Sequence, residues 1–574
     1  MEKRTVLAIA LSFIILMAFD YVYKKYYLPE EPPREEAAET AGAAPSGAAP
    51  SGAAPAVPSE PPAAGMIAPA AGMAASDTDT AAVGPNKVVV QTDLYSAVID
   101  NRGAVLESWI LHGYLSSSGG EFDMIAAGDQ GETWSRPGSL YFEDDAITEL
   151  ANGQFYEVTV DGEPYSGGRL APPVDVVLTL RRGDLQIRKQ YSFHQENYTM
   201  NLAASFTRGG EGLRGRFFLG QDLGPIEEYI EGRRTELNAT YFDSKKIQRE
   251  SPPKDKQGDV TLSGNIRWIG LDMHYFTAIA IPDRPVASFD IRGYETKTDL
   301  NKDTLERSLL SIKVPVDGSL DCLLYIGPKK QSSLKAVTQY DLTGVIDYGM
   351  FSIIAMPLLS ALQWIHRYVN NYGFAIILLT LILSLLLMPL RLKQMFSMKK
   401  MQAIQPQVKA IQERYKKYKK TDPKRGEMNQ EVMALYKENK VNPMGGCLPL
   451  LVQFPLLIAF YSLLANSIEL RQAPFIGWIQ DLSAKDPKFV LPIVMGLTMF
   501  LSQKMTPMAP TADNSQAKMM QFLPIVFTFM FLTVSSGLNL YFLCSNIFQV
   551  GFQKVYELVA GEAKNGGKPK PGKK

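Results

Sequence analysis

The chain has 574 residues, of which 59 are Lys or Arg and 59 are Asp or Glu, and 46% of it is hydrophobic. That length accommodates several units, and a net charge of zero says little until the charges are placed along the chain. The four histidines (His112, His194, His274, His366) have no ligand spacing, and two of the three cysteines (Cys447, Cys544, against Cys322) lie in apolar segments. The composition therefore excludes a metal centre or haem built on these residues and a disulfide framework, and no cofactor is expected.

The first element is an apolar run over 5–23, behind Lys3 and Arg4. It reads either as a cleaved signal peptide or as a retained anchor over 1–28. No small-x-small cleavage site follows it; Asp20, Tyr21 and Tyr23 stand there instead, which favours the anchor. Residues 29–85 are rich in Ala, Pro and Gly and lack the large apolar side chains that offset chain entropy, so a disordered tether is expected. From 86 to 335 the pattern changes to short alternating runs. Residues 174–180 and 185–193 read as strands, with turn signals at Asn101-Arg102-Gly103, Asp161-Gly162 and Arg182-Gly183-Asp184. A stretch this long favours one large antiparallel β-sandwich.

Residues 341–371 are a different kind of element. Val345, Ile346, Met350, Ile353, Ile354, Pro357, Leu358, Ala361, Leu362 and Ile365 recur at helical spacing, and 349–365 carries no charge. It reads as a span or as a helix lying in the membrane interface. Five apolar segments follow at 372–392, 447–465, 489–501, 519–534 and 538–550. Several are near the lower limit for crossing about 30 Å of hydrocarbon.

Charge then sets an expected topology. Residues 393–440 hold 13 Lys/Arg against 5 Asp/Glu, which marks a cytoplasmic loop between spans rather than a nucleic-acid surface. The span at 372–392 then runs inwards, the β region lies outside, and the anchor starts inside. A crossing at 341–371 would break that parity, so this helix is expected flat on the periplasmic face. Alternation puts 466–488 outside and the basic tail over 559–574 inside, with both termini cytoplasmic.

Within the loop, Met398, Met401, Ile404, Val408, Ile411, Tyr415 and Tyr418, and then Met428, Val432 and Leu435, are spaced by three or four. Thr421-Asp422-Pro423 and Gly426 break the chain between the two sets, so an antiparallel helical hairpin with a basic outer face is expected. Lys416, Lys417, Lys419 and Lys420 are its densest charges. They suit anionic lipid, or docking of a ribosome, substrate tail or targeting factor; composition alone leaves both readings open.

The chain also carries a set of recognisable blocks: VNPMGGCLP at 441–449 continuing to Gln453-Phe454-Pro455, ELRQAPF at 469–475, LPIVMG at 491–496, Ser536-Gly537-Leu538 with Ser545-Asn546, YIGPK at 325–329, Asp347-Tyr348-Gly349, Trp364-Ile365-His366 and WIGLDMHYFTAIAIP at 268–282. Together they resemble the YidC/Oxa/Alb family of membrane-protein insertases, in its bacterial form with a large periplasmic domain. The resemblance covers all but the linker and the extreme tail. It implies a mixed membrane protein: an N-terminal anchor, a periplasmic β-supersandwich, and a five-helix insertase core over 372–558 with a cytoplasmic hairpin. It also implies an inner-membrane insertase and chaperone, not an enzyme, acting alone or with the Sec translocon. A polar groove would take a substrate's hydrophilic tail while its apolar segment slides into lipid, without nucleotide hydrolysis. Expected partners are nascent membrane proteins, the Sec translocon, the ribosome and anionic lipids, with no nucleic-acid target of its own.

Candidate groove residues follow from that resemblance. Thr380 matches a polar family position in the first core span, and Gln453, Asn539, Tyr541, Ser545 and Asn546 add polar groups in others. Each could instead make ordinary interhelical hydrogen bonds. Many bacterial members carry an arginine five residues before the proline of the first core span; here Ser384 stands at that distance from Pro389. Arg391 lies seven residues after Ser384, two turns along one helical face. It reads either as a substitute cation at the groove mouth or as an anchor for lipid phosphate.

Two rival readings remain distinguishable. A secondary transporter would need intramembrane charges or inverted repeats, and neither stands out. A membrane-anchored carbohydrate-binding protein would leave the five spans and the basic hairpin without a role.

Overall fold

The computed structural model describes residues 84–125, 134–225, 237–253, 258–300, 303–337, 342–418, 422–439, 448–505 and 514–565. The anchor at 1–28, the tether up to 83, residues 440–447, Lys419, Lys420 and the tail beyond 565 lie outside the described residues. Among the described residues, 84–512 and 521–565 fall in one compact unit, which carries both β-sheets and nearly all of the helical residues.

Alternation builds the β region. Val174–Arg182 buries Val174, Val176, Leu178 and Leu180, and Leu185–Phe193 buries Leu185, Ile187, Lys189, Tyr191 and Phe193. The two strands pair in register from Leu185↔Arg182 to Phe193↔Val174. Gly183 makes the tight turn between them at φ 55°, a left-handed angle that costs a residue without Cβ little.

One five-stranded sheet runs Glu121–Asp123, Val105–Leu115, Tyr95–Asp100, Lys87–Gln91, Arg169–Leu170, with only the last contact parallel. The second sheet has 16 strands, with Phe276–Pro282, Ser319–Pro328, Thr199–Arg208, Leu185–Phe193 and Val174–Arg182 as its central antiparallel run. The inner faces meet around Trp109, whose ring stacks on Tyr95 at 4.0 Å and lies 6.4 Å from Phe193 of the other sheet. This β-rich region is the soluble part of a mixed fold.

Helix α1 (Asp145–Gly153) is capped by Asp144, which accepts from Ala146 N at 2.9 Å. Helix α2 (Gln331–Ala336) leads out of the sheets. Then come α3 (Ser352–Val369), α4 (Tyr372–Leu386), α5 (Met388–Ala403), α6 (Gln405–Arg414), α7 (Lys424–Glu438), α8 (Leu448–Asn466), α9 (Val490–Met505), α10 (Asn514–Phe531) and α11 (Ser536–Asn565). By length and composition the unbroken helical run Gly349–Val369 could cross a membrane, as could α4 and α5 if that pair is one bent span; the remaining apolar helices are shorter. Pro389 explains the 53° bend between α4 and α5, because it offers no N–H to the helix and its ring crowds the preceding turn. Helix α11 reaches 30 residues, well beyond the apolar segment at 538–550.

One buried apolar cluster continues from the sheets into the helices, taking in Val345, Leu358, Ile376, Leu463, Leu482 and Leu538. Met401, Ile404, Val408 and Tyr436 form a separate cluster where α5 and α6 meet α7, tied further by Arg414 to Glu431 at 2.7 Å. Helix α3 buries Ala355, Leu358, Leu359, Leu362 and Ile365 and exposes Ile353, Trp364 and Tyr368. Both of its ends meet the segment 466–475. Asp347 O accepts from Asn466 Nδ2 at 2.8 Å just before α3, Gln363 Nε2 donates to Glu469 Oε1 at 2.8 Å within it, and Asn371 Nδ2 donates to Pro474 O and Phe475 O just after it.

Candidate functional site

The helix ends explain how polar side chains converge. Helix α4 starts on Asn371, whose side chain accepts from Phe374 N at 3.2 Å, and runs apolar to the bend. Helical bonding resumes at once beyond it, with Arg391 N donating to Leu387 O at 3.1 Å. The bend turns Arg391 towards α8, where Arg391 Nη2 donates to Gln453 Oε1 at 3.4 Å. Gln453 Nε2 in turn donates to Tyr541 Oη of α11 at 3.3 Å. The Tyr541 ring stacks on Phe460 of α8 at 4.2 Å, which fixes its direction, and Ser545 lies one turn further along α11.

Three helices therefore supply a polar chain, Arg391–Gln453–Tyr541, with Ser545 one turn beyond it on α11. Its two longest contacts, 3.3 and 3.4 Å, exceed the usual 2.9–3.0 Å of a well-made N–H···O bond. Arg391 Nη1 is buried and has no hydrogen-bond partner among the described residues, and the same holds for Asn546 Nδ2. Donors held this loosely can exchange partners at small cost.

The other candidates are placed differently. Thr380 is 1% exposed and donates to Ile376 O within its own helix. Ser384 is buried on α4, one turn closer to the bend. Asn539 is fully buried at the α10–α11 turn, where its Nδ2 meets the carbonyls of Phe531, Val534 and Ser535 at 3.1–3.3 Å. Lys416 and Lys417 are exposed beyond the end of α6.

Three polar residues escaped the sequence reading. Lys189 is fully buried in the sandwich, donating to Gly103 O and Gly138 O at 2.7 Å each and to Ala104 O at 3.3 Å, and burial pushes its ammonium down to about 7. The inward phase of Leu185, Ile187, Tyr191 and Phe193 was the signal that could have found it. Asp272 is buried against Lys329 at 2.9 Å, and desolvation raises its carboxyl above the ordinary range despite that ammonium. Arg471, in the segment after α8, is 7% exposed. Among the described residues no cluster of His, Cys, Asp or Glu could hold a metal ion.

Comparison with known proteins gives a consistent set of matches. A family described as "YidC periplasmic domain" matches residues 87–361, and one described as "60Kd inner membrane protein" matches 364–561. The "Membrane protein insertase YidC" of Geotalea daltonii is 35% identical over 567 residues, covering 96% of this chain and 98% of that protein. That of Citrifermentans bemidjiense is 36% identical over 563 residues, with 96% and 98% covered. A solved structure described as "Active YidC insertase crystal structure with the first transmembrane domain resolved" aligns with 81% of this chain and 91% of its own, at 19% identity and a TM-score of 0.34.

Proposed function

Because this chain belongs to the YidC family of membrane protein insertases, we propose that the polar chain Arg391–Gln453–Tyr541, with Ser545 one turn beyond it, is where it receives the hydrophilic part of a substrate. The protein is an insertase and chaperone of integral membrane proteins, a multi-pass inner-membrane protein with a periplasmic domain, and not an enzyme.

The energetics need no nucleotide. Each Leu, Ile, Phe or Val at a span centre is worth about 0.3–0.6 kcal/mol, whereas a charged residue costs about 2.5–3.5 kcal/mol there. The apolar segment drives its own insertion, and the barrier lies in carrying the polar tail across. Loosely held donors on three helices lower that barrier by offering the tail partners inside the bilayer. Arg391 supplies the cation in place of Ser384, attracting acidic tails. The single observation that carries this reading is the Arg391 guanidinium, half-buried at the bend with one long contact and one buried nitrogen that has no partner among the described residues.

The finer topology is part of the proposal. The core is α4 with α5, α8, α9, α10 and α11, and α3 lies flat on the periplasmic face. Its contacts support that orientation: a helix whose two ends both meet one short segment, 466–475, stays on one side of the membrane. Its exposed Trp364 and Tyr368 suit the interface. The anchor, both cytoplasmic termini and the docking of ribosome or Sec translocon belong to the same reading, and the basic hairpin faces the cytoplasm.

The test is complementation of a depletion strain. Arg391→Ala lowers insertion of an acidic-tailed substrate about tenfold or more, the loss of one charge-assisted bond, and adding Ser384→Arg restores it. Insertion of that substrate at the original rate by Arg391→Ala would remove the cation from the mechanism.

A further inference from the structure

Helix α11 continues well past the last apolar segment, and its polar residues keep one phase as it does so. Tyr541, Ser545, Gln549 and Gln553 follow one another every fourth residue, which places them along a single face of the helix. Gln553 is 6% exposed, so that face is still covered twelve residues beyond Tyr541. Tyr556 comes three residues later on the same face and meets the base of the hairpin. The Phe396 ring of α5 stands edge-on to the Tyr556 ring, with the centres 5.3 Å apart, and Lys399 Nζ lies 5.0 Å from the centre of the same ring. Helices α5 and α11 are therefore joined at two levels. Gln453 bridges Arg391 to Tyr541, and Tyr556 makes the second junction directly, about 22 Å further along α11.

The contact at Tyr556 is built to part. Phe396 is 49% exposed, so its ring lies against Tyr556 from the surface and not within a core. The hairpin keeps its shape without that contact, because Met401, Ile404, Val408 and Tyr436 form an apolar cluster of their own, separate from the one that runs through the sheets and the core helices. Helix α5 also leaves α4 at the 53° bend, so a small change of angle there carries Phe396 and Lys399 away from α11 while α4 stays in place.

We propose that Tyr556 is a positioning residue that closes the cytoplasmic mouth of the groove: its ring holds α5 against α11 through Phe396 and Lys399, and a substrate's hydrophilic tail reaches the polar chain when the two helices part there. This role rests on the groove reading and the topology given under Proposed function. Both contacts are made by the ring, which Tyr556→Phe keeps and Tyr556→Ala removes.

The test uses the full chain in inside-out membrane vesicles, with Cys322, Cys447 and Cys544 replaced by Ala and Ser545→Cys as the reporter, eleven residues before Tyr556. Tyr556→Ala speeds reaction of the thiol at position 545 with an impermeant maleimide about threefold or more. Tyr556→Phe leaves the rate as it was, and Lys399→Gln gives an intermediate one. A rate unchanged by Tyr556→Ala overturns the proposal. If that variant does not accumulate, Phe396→Ala removes the other ring from an exposed position and speeds the same reaction; no change there overturns the proposal equally. A second measurement shuts the mouth instead. With Ser545 intact, a short bismaleimide joining Phe396→Cys to Tyr556→Cys slows insertion about tenfold or more relative to the same chain unlinked, and insertion at the unlinked rate counts against the proposal. The groove reading fails separately. A substrate stalled during insertion would then give the thiol at position 545 no protection, while the dependence of its rate on Tyr556 would stand on its own.

Discussion

Lys189, fully buried in the sandwich, and Arg391, half-buried at the α4–α5 bend, are both basic side chains drawn away from water, and they are treated in opposite ways. Lys189 has three backbone carbonyls around its ammonium, two of them at 2.7 Å. Arg391 has one amide oxygen at 3.4 Å and a guanidinium nitrogen with no partner among the described residues. A buried polar group that is fully met belongs to the architecture; one left short costs free energy until a visitor or water meets it. The contrast is between these two sites and not between whole regions, since the β region also holds buried atoms without a hydrogen-bond partner among the described residues, Trp109 Nε1 and Gln221 Oε1 among them. What marks Arg391 is that its unmet nitrogen belongs to a cation on the polar chain.

The contrast breaks most sharply under exchange of losses. Lys189→Met orphans three buried carbonyls and lowers unfolding stability by about 2–4 kcal/mol, while insertion per folded molecule stays unchanged. Arg391→Ala does the reverse, with stability within about 1 kcal/mol of the original and insertion of acidic-tailed substrates down about tenfold. Thermal melts and an insertion assay on the same two variants are enough to see whether the losses cross over.

A pH series sharpens the sandwich half. An ordinary lysine titrates near 10.5, and Lys189 is lowered to about 7 by burial. Between those values the unfolded chain holds a proton that the folded one does not, so stability rises with pH across that window, and the burial penalty is complete below 7. Chemical denaturation at steps from pH 7 to 10 should give a rising contribution that disappears in Lys189→Met.

The helical half is sharpened by smaller changes. Tyr541→Phe removes a neutral bond worth about 1 kcal/mol, so insertion should fall roughly two- to fivefold, more for acidic tails than for neutral ones; Gln453→Leu also removes the oxygen that accepts from Arg391 and should cost somewhat more. Asn539→Ala loses a comparable set of bonds to Phe531, Val534 and Ser535, and should lower stability without any preference between tails. Smallest of all, Glu at Lys416, Lys417, Lys419 and Lys420 should weaken binding to anionic vesicles at low salt, with the difference vanishing as ionic strength rises.

Much of the fold could be read from periodicity. The hairpin at 174–193 alternates with period two, and Met401, Ile404 and Val408 repeat at helical spacing, because one buried face is a local property of a strand or helix. The site was legible as residue types and not as contacts. Arg391, Gln453 and Tyr541 are joined only because a 53° bend turns α5 towards α8, and no local pattern encodes that angle beyond Pro389. Asn539 looks like a groove amide until the α10–α11 turn supplies three carbonyls. Arg471 was visible within ELRQAPF, but its partners Leu115, Phe122 and Phe276 lie 356, 349 and 195 residues away, beyond the reach of any pattern in a single chain.

The most direct test of the central claim places a photo-crosslinking amino acid at Gln453 or at Ile547, which is 48% exposed on α11, and presents a substrate stalled during insertion. The polar chain as substrate site predicts cross-links from Gln453 to the substrate's hydrophilic tail, and none to that tail from Ile547. Equal cross-linking of the tail at both positions, or none at Gln453 while insertion proceeds, would contradict it.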